Sequence, residues 1–446
     1  MKNDRKTERD SFGTRFGFII ACIGSAVGMG NIWMFPYRVG KFGGAAFLIP
    51  YFIFVVLLGF SGVIGEMAFG RAMKTGPMGA FAGAVEMRFG KEKAKYGRLI
   101  GIIPVVGSAG IAIGYSVVVG WFFKYLFSAL TGSLTAVENY GEYFGGIAVS
   151  FGNVFWHIVG LVIVFVIMAM GITKGIEKMN KIMMPVFFVF FIVLLVRVAT
   201  LPNAFEGYKY LFVPNWSQLG NVKTWVYALG QAFFSLSLAG SGTIVYGSYL
   251  KNDIDVAECA KNVAFFDTCA ALLAGMVVIP AVFAFGLDVA SGPPMMFITL
   301  PAVFQNMPLG GLFAILFFVA VLFAALTSVM NLFETPIEAL QENFKLSRVQ
   351  SVVIVGVIST AISLLIESGD AVGMWMDAVS IYIIPLGALL AAIMFYLVCP
   401  KGYAREQAEI GAKKPLSKYF EPVTMYVFVG ITAVVYILGI FFGGIG

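Results

Sequence analysis

Three carboxylates, Glu66, Asp267 and Asp377, stand inside or at the edge of otherwise apolar runs. An ionised side chain at membrane depth is expensive, so each asks for a function or a partner. Asp377 lies near the end of its run and is the least telling. Two further stretches interrupt apolar runs with small and polar residues. The first is Gly24-Ser25-Ala26-Val27-Gly28-Met29-Gly30-Asn31. The second runs from Gly230-Gln231 through Ser235, Ser237 and Ser241 to Gly242. Each glycine costs a helix about 1 kcal/mol relative to alanine. A break in a helix frees amides that suit an anion and carbonyls that suit a cation. Met29 and Gly30 offer such amides; Gly24, Ala26 and Val27 offer such carbonyls. Asn31 and Ser235 add side-chain oxygens, and Asp267 adds the charge that a hard cation wants among neutral oxygens. Two blander readings stand beside these. The first stretch also fits a Gly-rich face for close helix packing. Glu66 also fits a structural carboxylate that ties up loose backbone amides at one of the breaks. The adjacent hydroxyls Thr327-Ser328 are a weak signal alone, since such groups usually bond back to the preceding turn.

The elements that must position these residues are membrane helices. Of 446 residues, 59% are hydrophobic and 12% charged, against about 25% charged in soluble domains. The chain reads as an all-α polytopic membrane protein of about eleven transmembrane helices. The expected spans are 14–38, 43–71, 97–128, 152–171, 177–199, 225–250, 258–288, 308–341, 348–367, 372–399 and 422–444. Lysine and arginine crowd the N-terminal tail and the loops after spans 2, 4, 8 and 10. The N-terminus is therefore expected in the cytoplasm, and an odd span count puts the C-terminus outside. The net charge of +6 speaks to this topology rather than to nucleic acid. The charged start runs straight into a long, Gly-interrupted segment, so no cleavable signal peptide is expected. Cys22, Cys259, Cys269 and Cys399 show no metal or redox spacing and read as buried free thiols. His157, the single histidine, follows Trp156 and reads as an interfacial residue rather than a proton relay. No nucleophile–base pair, phosphate loop or metal cluster points to an enzyme.

The interrupted runs are spans 1 and 6, five spans apart. That suggests an inverted repeat, with ligand and ions held between the two breaks. The expected organisation is a single domain over 1–446. It comprises a tail (1–15), a first repeat (16–200), an inverted second repeat (225–400) and an extra helix (422–444).

Together, Gly24–Pro36, Gly65–Arg71, Gly230–Gly242, Leu326-Thr327-Ser328 and Lys345-Leu346-Ser347-Arg348 resemble the neurotransmitter:sodium symporter family. The likeness is to its bacterial amino-acid transporters of the LeuT fold. It covers essentially the whole chain and favours the broken-helix reading of span 1. The resemblance implies a 5+5 inverted repeat with helices 1 and 6 broken, and Na+ at two sites. The first would use Ala26, Asn31, Ser235, Asp267 and the substrate carboxylate. The second would use Gly24, Val27, Ala324, Thr327 and Ser328. The substrate carboxylate would meet the Met29 and Gly30 amides and the Tyr115 hydroxyl. Its amine would meet the carbonyls of Ala26, Phe234 and Ser235, with Ser237 as a further candidate. Ile111, Tyr115, Phe234, Gly240, Ser328 and Leu332 would line the side-chain pocket.

By the same resemblance, Arg9 and Phe12 form an inner gate, with Glu342 as the partner of Arg9 and Tyr249 nearby. Gly175 and Pro185, nine residues between them, match a pattern that lets the inner end of span 5 unwind. Two features depart from the family. Met34 takes the place of the usual outer-gate arginine, which leaves Asp377 without an obvious partner; Arg38 is one turn further out. A twelfth span is absent. The expected function is sodium-coupled symport of an amino acid into the cell, across the inner membrane. The substrate is expected to be large and apolar or aromatic, tyrosine or tryptophan before leucine. Tyr51, Gln231 and Ser235 match part of a chloride site, but Asp267 supplies the negative charge, so chloride independence is expected. The rival is a non-transporting amino-acid receptor on the same fold. Oligomeric state is not legible from the sequence.

Overall fold

Hydropathy alone draws eleven apolar runs, and in a computed structural model each becomes helix. The structure describes residues 11–238, 241–289 and 293–444. Eight helices are long and apolar enough to cross a bilayer: Ala45–Met73, Lys91–Leu130, Ile172–Ala199, Val256–Ala284, Gly310–Phe344, Arg348–Leu365, Gly369–Val398 and Phe420–Phe442. They are spans 2, 3, 5, 7, 8, 9, 10 and 11. The remaining three are spans 1, 4 and 6. Span 1 is a bent pair, Arg15–Ala26 and Gly30–Lys41, with 48° between its halves. Span 4 is a short helix of 16 residues, Val154–Ala169. Span 6 is split into Val222–Ser235 and Gly242–Ser248. No strand occurs among the described residues.

The break in span 1 has a local cause. Thr14 caps the first half, accepting the Gly17 amide at 2.9 Å. At Val27 the backbone turns extended (φ −71°, ψ 103°) and the helix ends. A π-helical turn, Gly30–Met34, then starts the second half, and Pro36 follows where the π turn passes into the α-helix Phe35–Lys41. In span 6 the chain leaves the helix at Leu236, and Ser237 takes a left-handed φ of 56°. Ser241, at φ 52°, caps the second half. Serine at positive φ is uncommon and marks a strained turn.

Interior and lipid-facing helices differ in burial. Spans 2, 3 and 8 are 61–67% buried over their apolar windows, whereas span 11 is 22% buried. The outward residues of the peripheral helices are large and apolar, such as Val166, Val196, Phe265 and Phe441. An exposed face of that kind suits lipid. Glycines decide how closely the interior helices approach. A Cβ on Gly70 of span 2 would collide with the Ile244 carbonyl of span 6, and one on Gly247 of span 6 would press on the Met67 backbone of span 2. The two glycines thus interlock backbone against backbone.

On the face bearing the basic loops, the segment between spans 10 and 11 folds back beneath span 7. Lys413 meets Glu258 at 2.9 Å, and Arg15 meets the same carboxylate at 2.6 Å. Arg71 donates to the carbonyls of Ile254 and Gln407. These contacts tie the start of span 1 and the end of span 2 to that loop.

His157 lies in the first turn of span 4 and faces the protein interior. It is fully buried, with Nε2 3.2 Å from Ser116 Oγ and Nδ1 3.5 Å from Glu367. Span 4 is short and packs beside span 3 where Gly120 lets it in close, which draws its first turn inward. Cys22, Cys259 and Cys399 are buried free thiols, and Cys269 is half-buried.

Interlocking glycines make a sharp prediction. Gly70→Ala should destabilise the purified protein by about 1–3 kcal/mol, the usual cost of overpacking. Gly430→Ala, facing open space on span 11, should leave the melting midpoint in detergent unchanged. Equal midpoints for both variants would refute the close approach.

Candidate functional site

Both breaks free polar backbone at the same depth, and the structure joins them. Ser237 of span 6 donates its hydroxyl to the Ser25 carbonyl of span 1 at 2.8 Å. Asn31 Oδ1 accepts the Gly28 amide at 3.1 Å, and Gln231 donates to the Gly30 carbonyl at 2.7 Å. Glu66 of span 2 accepts from the Thr243 hydroxyl, just past the break in span 6. So Glu66 serves the break in span 6 through a side chain rather than through backbone amides.

Asn31, Ser235 and Asp267 converge between the breaks, all fully buried. Asn31 Nδ2 lies 2.7 Å from Asp267 Oδ1 and 3.1 Å from Ser235 Oγ. Ser235 donates to Asp267 Oδ2 at 2.7 Å. Among the described residues this buried carboxylate is held by an amide and a hydroxyl and has no positive partner, and a single buried charge is costly. Hard oxygens around one carboxylate fit an alkali cation.

A second group gathers on the other side of span 1. A Cβ on Gly24 would touch Thr327 Cβ at 3.1 Å, and one on Gly28 would touch Ser328 Oγ at 2.9 Å and Tyr115 Oη at 3.2 Å. The missing side chains therefore bring span 8 against the span 1 backbone at Gly24 to Gly28. Thr327 donates to the carbonyls of Phe323 and Ala324 at 3.0 Å. Its proton is committed to its own helix, so its lone pairs are free for a cation. Such an oxygen set also fits sodium.

Above both groups lies a cavity of about 700 Å³. Ala26, Met29, Gly30, Ile111, Tyr115, Phe234, Ser237, Ser328 and Leu332 line it. Ser235 does not line it but belongs to the carboxylate cluster. Gly240 lies outside the described residues. The Met29 amide donates to Tyr115 Oη at 2.8 Å. An incoming carboxylate could take over that donor and the phenol proton together. The cavity continues to Lys41 and Gly369, at the ends of spans 1 and 10 far from the basic loops. Its upper wall is aromatic: Trp121 packs edge-on against Phe144 at 5.3 Å, and Phe297 contacts both Trp33 and Trp121.

The predicted gate residues divide. Arg9 lies outside the described residues, so its pairing with Glu342 does too. Glu342 sits 3.9 Å from Lys345 of its own helix. Phe12 is buried among Phe18, Tyr246 and Tyr249, and plugs the basic-loop end of the site. Tyr249 donates to Glu334 at 2.8 Å, and Arg348 grips both oxygens of that carboxylate at 2.8 Å. The sequence reading missed this clamp, although Glu334 lies inside an apolar run and the rule that singled out Glu66 applies to it equally. Pro185 sits within an unbroken helix, Lys178–Ala199, so the inner end of span 5 is wound here, through the π-helical turn Ile172–Glu177. Asp377 is exposed on the cavity rim. Arg38 is buried and donates to Gln231 at 3.1 Å instead, while also lining the cavity.

Comparison with known proteins gives a consistent answer. The profile of the family described as "Sodium:neurotransmitter symporter family" matches residues 9–145 and 138–442. An uncharacterized sodium-dependent transporter of Bacillus subtilis (strain 168) is 37% identical over 326 residues, covering 72% of this chain and 70% of its own. One from Haemophilus influenzae is 32% identical over 356 residues, covering 78% and 77%. The crystal structure of MhsT in complex with L-phenylalanine superposes with a TM-score of 0.84 at 33% identity, covering 97% of this chain and 99% of that one.

Arg348 neutralises a carboxylate that has no exposure, and its removal should strand that charge. Arg348→Met should cost about 3–5 kcal/mol of stability. Adding Glu334→Gln should recover a large part of it. A double variant no better than Arg348→Met alone, by thermal melting, would show that the two side chains are not coupled.

Proposed function

The chain belongs to the sodium:neurotransmitter symporter family, and from that premise we propose that it imports an amino acid by alternating access, driven by two sodium ions. It is a multi-pass, sodium-dependent symporter of a transporter family, not an enzyme. The observation that carries the finer reading is the convergence of Asn31, Ser235 and Asp267 beneath the cavity, between the two breaks. The first sodium takes these side chains, the Ala26 carbonyl and the substrate carboxylate. The second takes the carbonyls of Gly24, Val27 and Ala324 with the hydroxyls of Thr327 and Ser328. The substrate carboxylate displaces the Met29–Tyr115 bond and uses the Gly30 amide. Its amine turns to the carbonyls of Ala26, Phe234 and Ser235, near Ser237.

Ile111, Phe234 and Leu332 give the substrate side chain an apolar wall, and Ser328 a polar one. That wall favours a large apolar or aromatic L-amino acid, and the MhsT neighbour was crystallised with L-phenylalanine. The basic loops put the N-terminus in the cytoplasm and the C-terminus outside, at the inner membrane. With that orientation the cavity faces outward and the Phe12 plug closes the cytoplasmic end. The plug and the Glu334 clamp are gating elements that a receptor would not need. Counterflow of labelled amino acid in proteoliposomes separates transporter from receptor.

At the first site the ion and the carboxylate are mutual ligands, so each raises the affinity of the other by the same factor. L-Phenylalanine binding should be at least tenfold tighter in sodium than in choline. Equal affinity in the two salts would sink the coupling. The Asp267 carboxylate also makes chloride unnecessary, so uptake should be the same in chloride and gluconate. Asp267→Asn should transport weakly, and what remains should depend on chloride. Wild-type uptake that fails in gluconate would remove the carboxylate from this role.

A further inference from the structure

Asn180 lies in span 5, one turn beyond the π-helical turn Ile172–Glu177, and is fully buried. Its amide nitrogen donates to the Ile176 carbonyl of its own helix at 2.8 Å. That bond fixes which way the amide faces, because only the nitrogen end can donate. Oδ1 therefore turns away from span 5, and it meets no donor among the described residues. It turns towards span 1: a Cβ on Gly24 would collide with Oδ1, and would press on Thr327 as well. Gly24 and Thr327 are two of the residues assigned above to the second sodium. A buried, donor-less oxygen thus stands against that cation set, brought by a helix that otherwise contributes nothing to it.

We infer that Asn180 Oδ1 is a further oxygen of the second sodium site, supplied by span 5; this rests on the two-sodium reading above. An amide oxygen is chemically the same kind of donor as the three carbonyls already in the set, and hard cations gather such oxygens. The anchor at Ile176 has a mechanical consequence. It ties the oxygen to Ile176, inside the π-helical turn Ile172–Glu177, so the ion is held fully only while that segment stays wound. Glu177, three residues earlier on the same side, supports the alignment. It accepts the Gly13 amide at 2.7 Å and the Thr14 hydroxyl at 3.0 Å. A Cβ on Gly17 would collide with the Glu177 carboxylate. Two polar side chains of span 5 are thereby seated against two glycines of span 1, seven residues apart.

The test uses the purified full-length protein in detergent, without amino acid. Sodium chloride is titrated against choline chloride at constant ionic strength, and the melting midpoint is read. Wild-type protein should be stabilised saturably, because sodium binds the folded state. In Asn180→Ala the half-saturating sodium should rise about tenfold. In Asn180→Asp, where a carboxylate oxygen replaces the amide oxygen, it should fall several-fold below wild type. An Asn180→Ala protein with wild-type half-saturation, whose midpoint drops equally in sodium and choline, would overturn the inference and leave a packing residue. If the alanine variant does not fold, an Asn180→Asp half-saturation equal to wild type overturns it instead. Thr327→Val is the control for the underlying reading: its half-saturating sodium should rise at least as far as that of Asn180→Ala, and if it titrates as wild type, the second site itself is misassigned.

Discussion

A helix that breaks at membrane depth has no water to complete it, so every freed amide and carbonyl must be met from within the protein. This demand organises the whole centre of the molecule. Spans 1 and 6 break side by side, and span 6 answers for much of span 1. Ser237 covers the Ser25 carbonyl, Gln231 covers the Gly30 carbonyl, and Asn31 turns back on the Gly28 amide. The carbonyls that these side chains leave uncovered are those assigned to the ions. The binding site is what remains once the fold has met its own polar requirements.

The two ends of the site are bordered by different means. The basic-loop end holds an aromatic plug around Phe12 and a bidentate ion pair, Glu334 with Arg348. The opposite end is walled by Trp33, Trp121, Phe144 and Phe297. There the buried cation, Arg38, rests on a neutral amide instead of a carboxylate. A guanidinium held by one amide can exchange partners at less cost than one locked bidentately to a buried carboxylate. The asymmetry suits a protein whose cavity is accessible at the aromatic end.

Much of this was legible in the sequence, for definite reasons. The spans announce themselves through apolar length, and the breaks through glycine and serine at mid-run. Asn31, Ser235 and Asp267 are polar residues where polarity is expensive, so chemistry points to them before any coordinates do. What stayed hidden depends on which side of a helix faces inward. Arg38 finds Gln231 only because spans 1 and 6 pack at one particular rotation. The sequence placed His157 beside Trp156 at the start of span 4 but gave no sign that it would face Ser116 and Glu367. Asn180 is neutral and lies among methionines and lysines, where hydropathy gives no sign. Glu334 differs, since its charge within span 8 was visible and only its partner was not.

The interlocked glycines at Gly70 and Gly247 leave a geometric consequence. Backbones in direct contact have no intervening side chains to reorient, so span 2 and the second half of span 6 cannot slide over one another. They travel as one body. Any change in how this pair meets the first half of span 6 then falls on the backbone that joins the two halves. On span 6, Leu236, Ser237 and Ser241 lie outside the two helices. The left-handed φ of Ser237 and Ser241 marks backbone that can rotate while the two helices keep their shape.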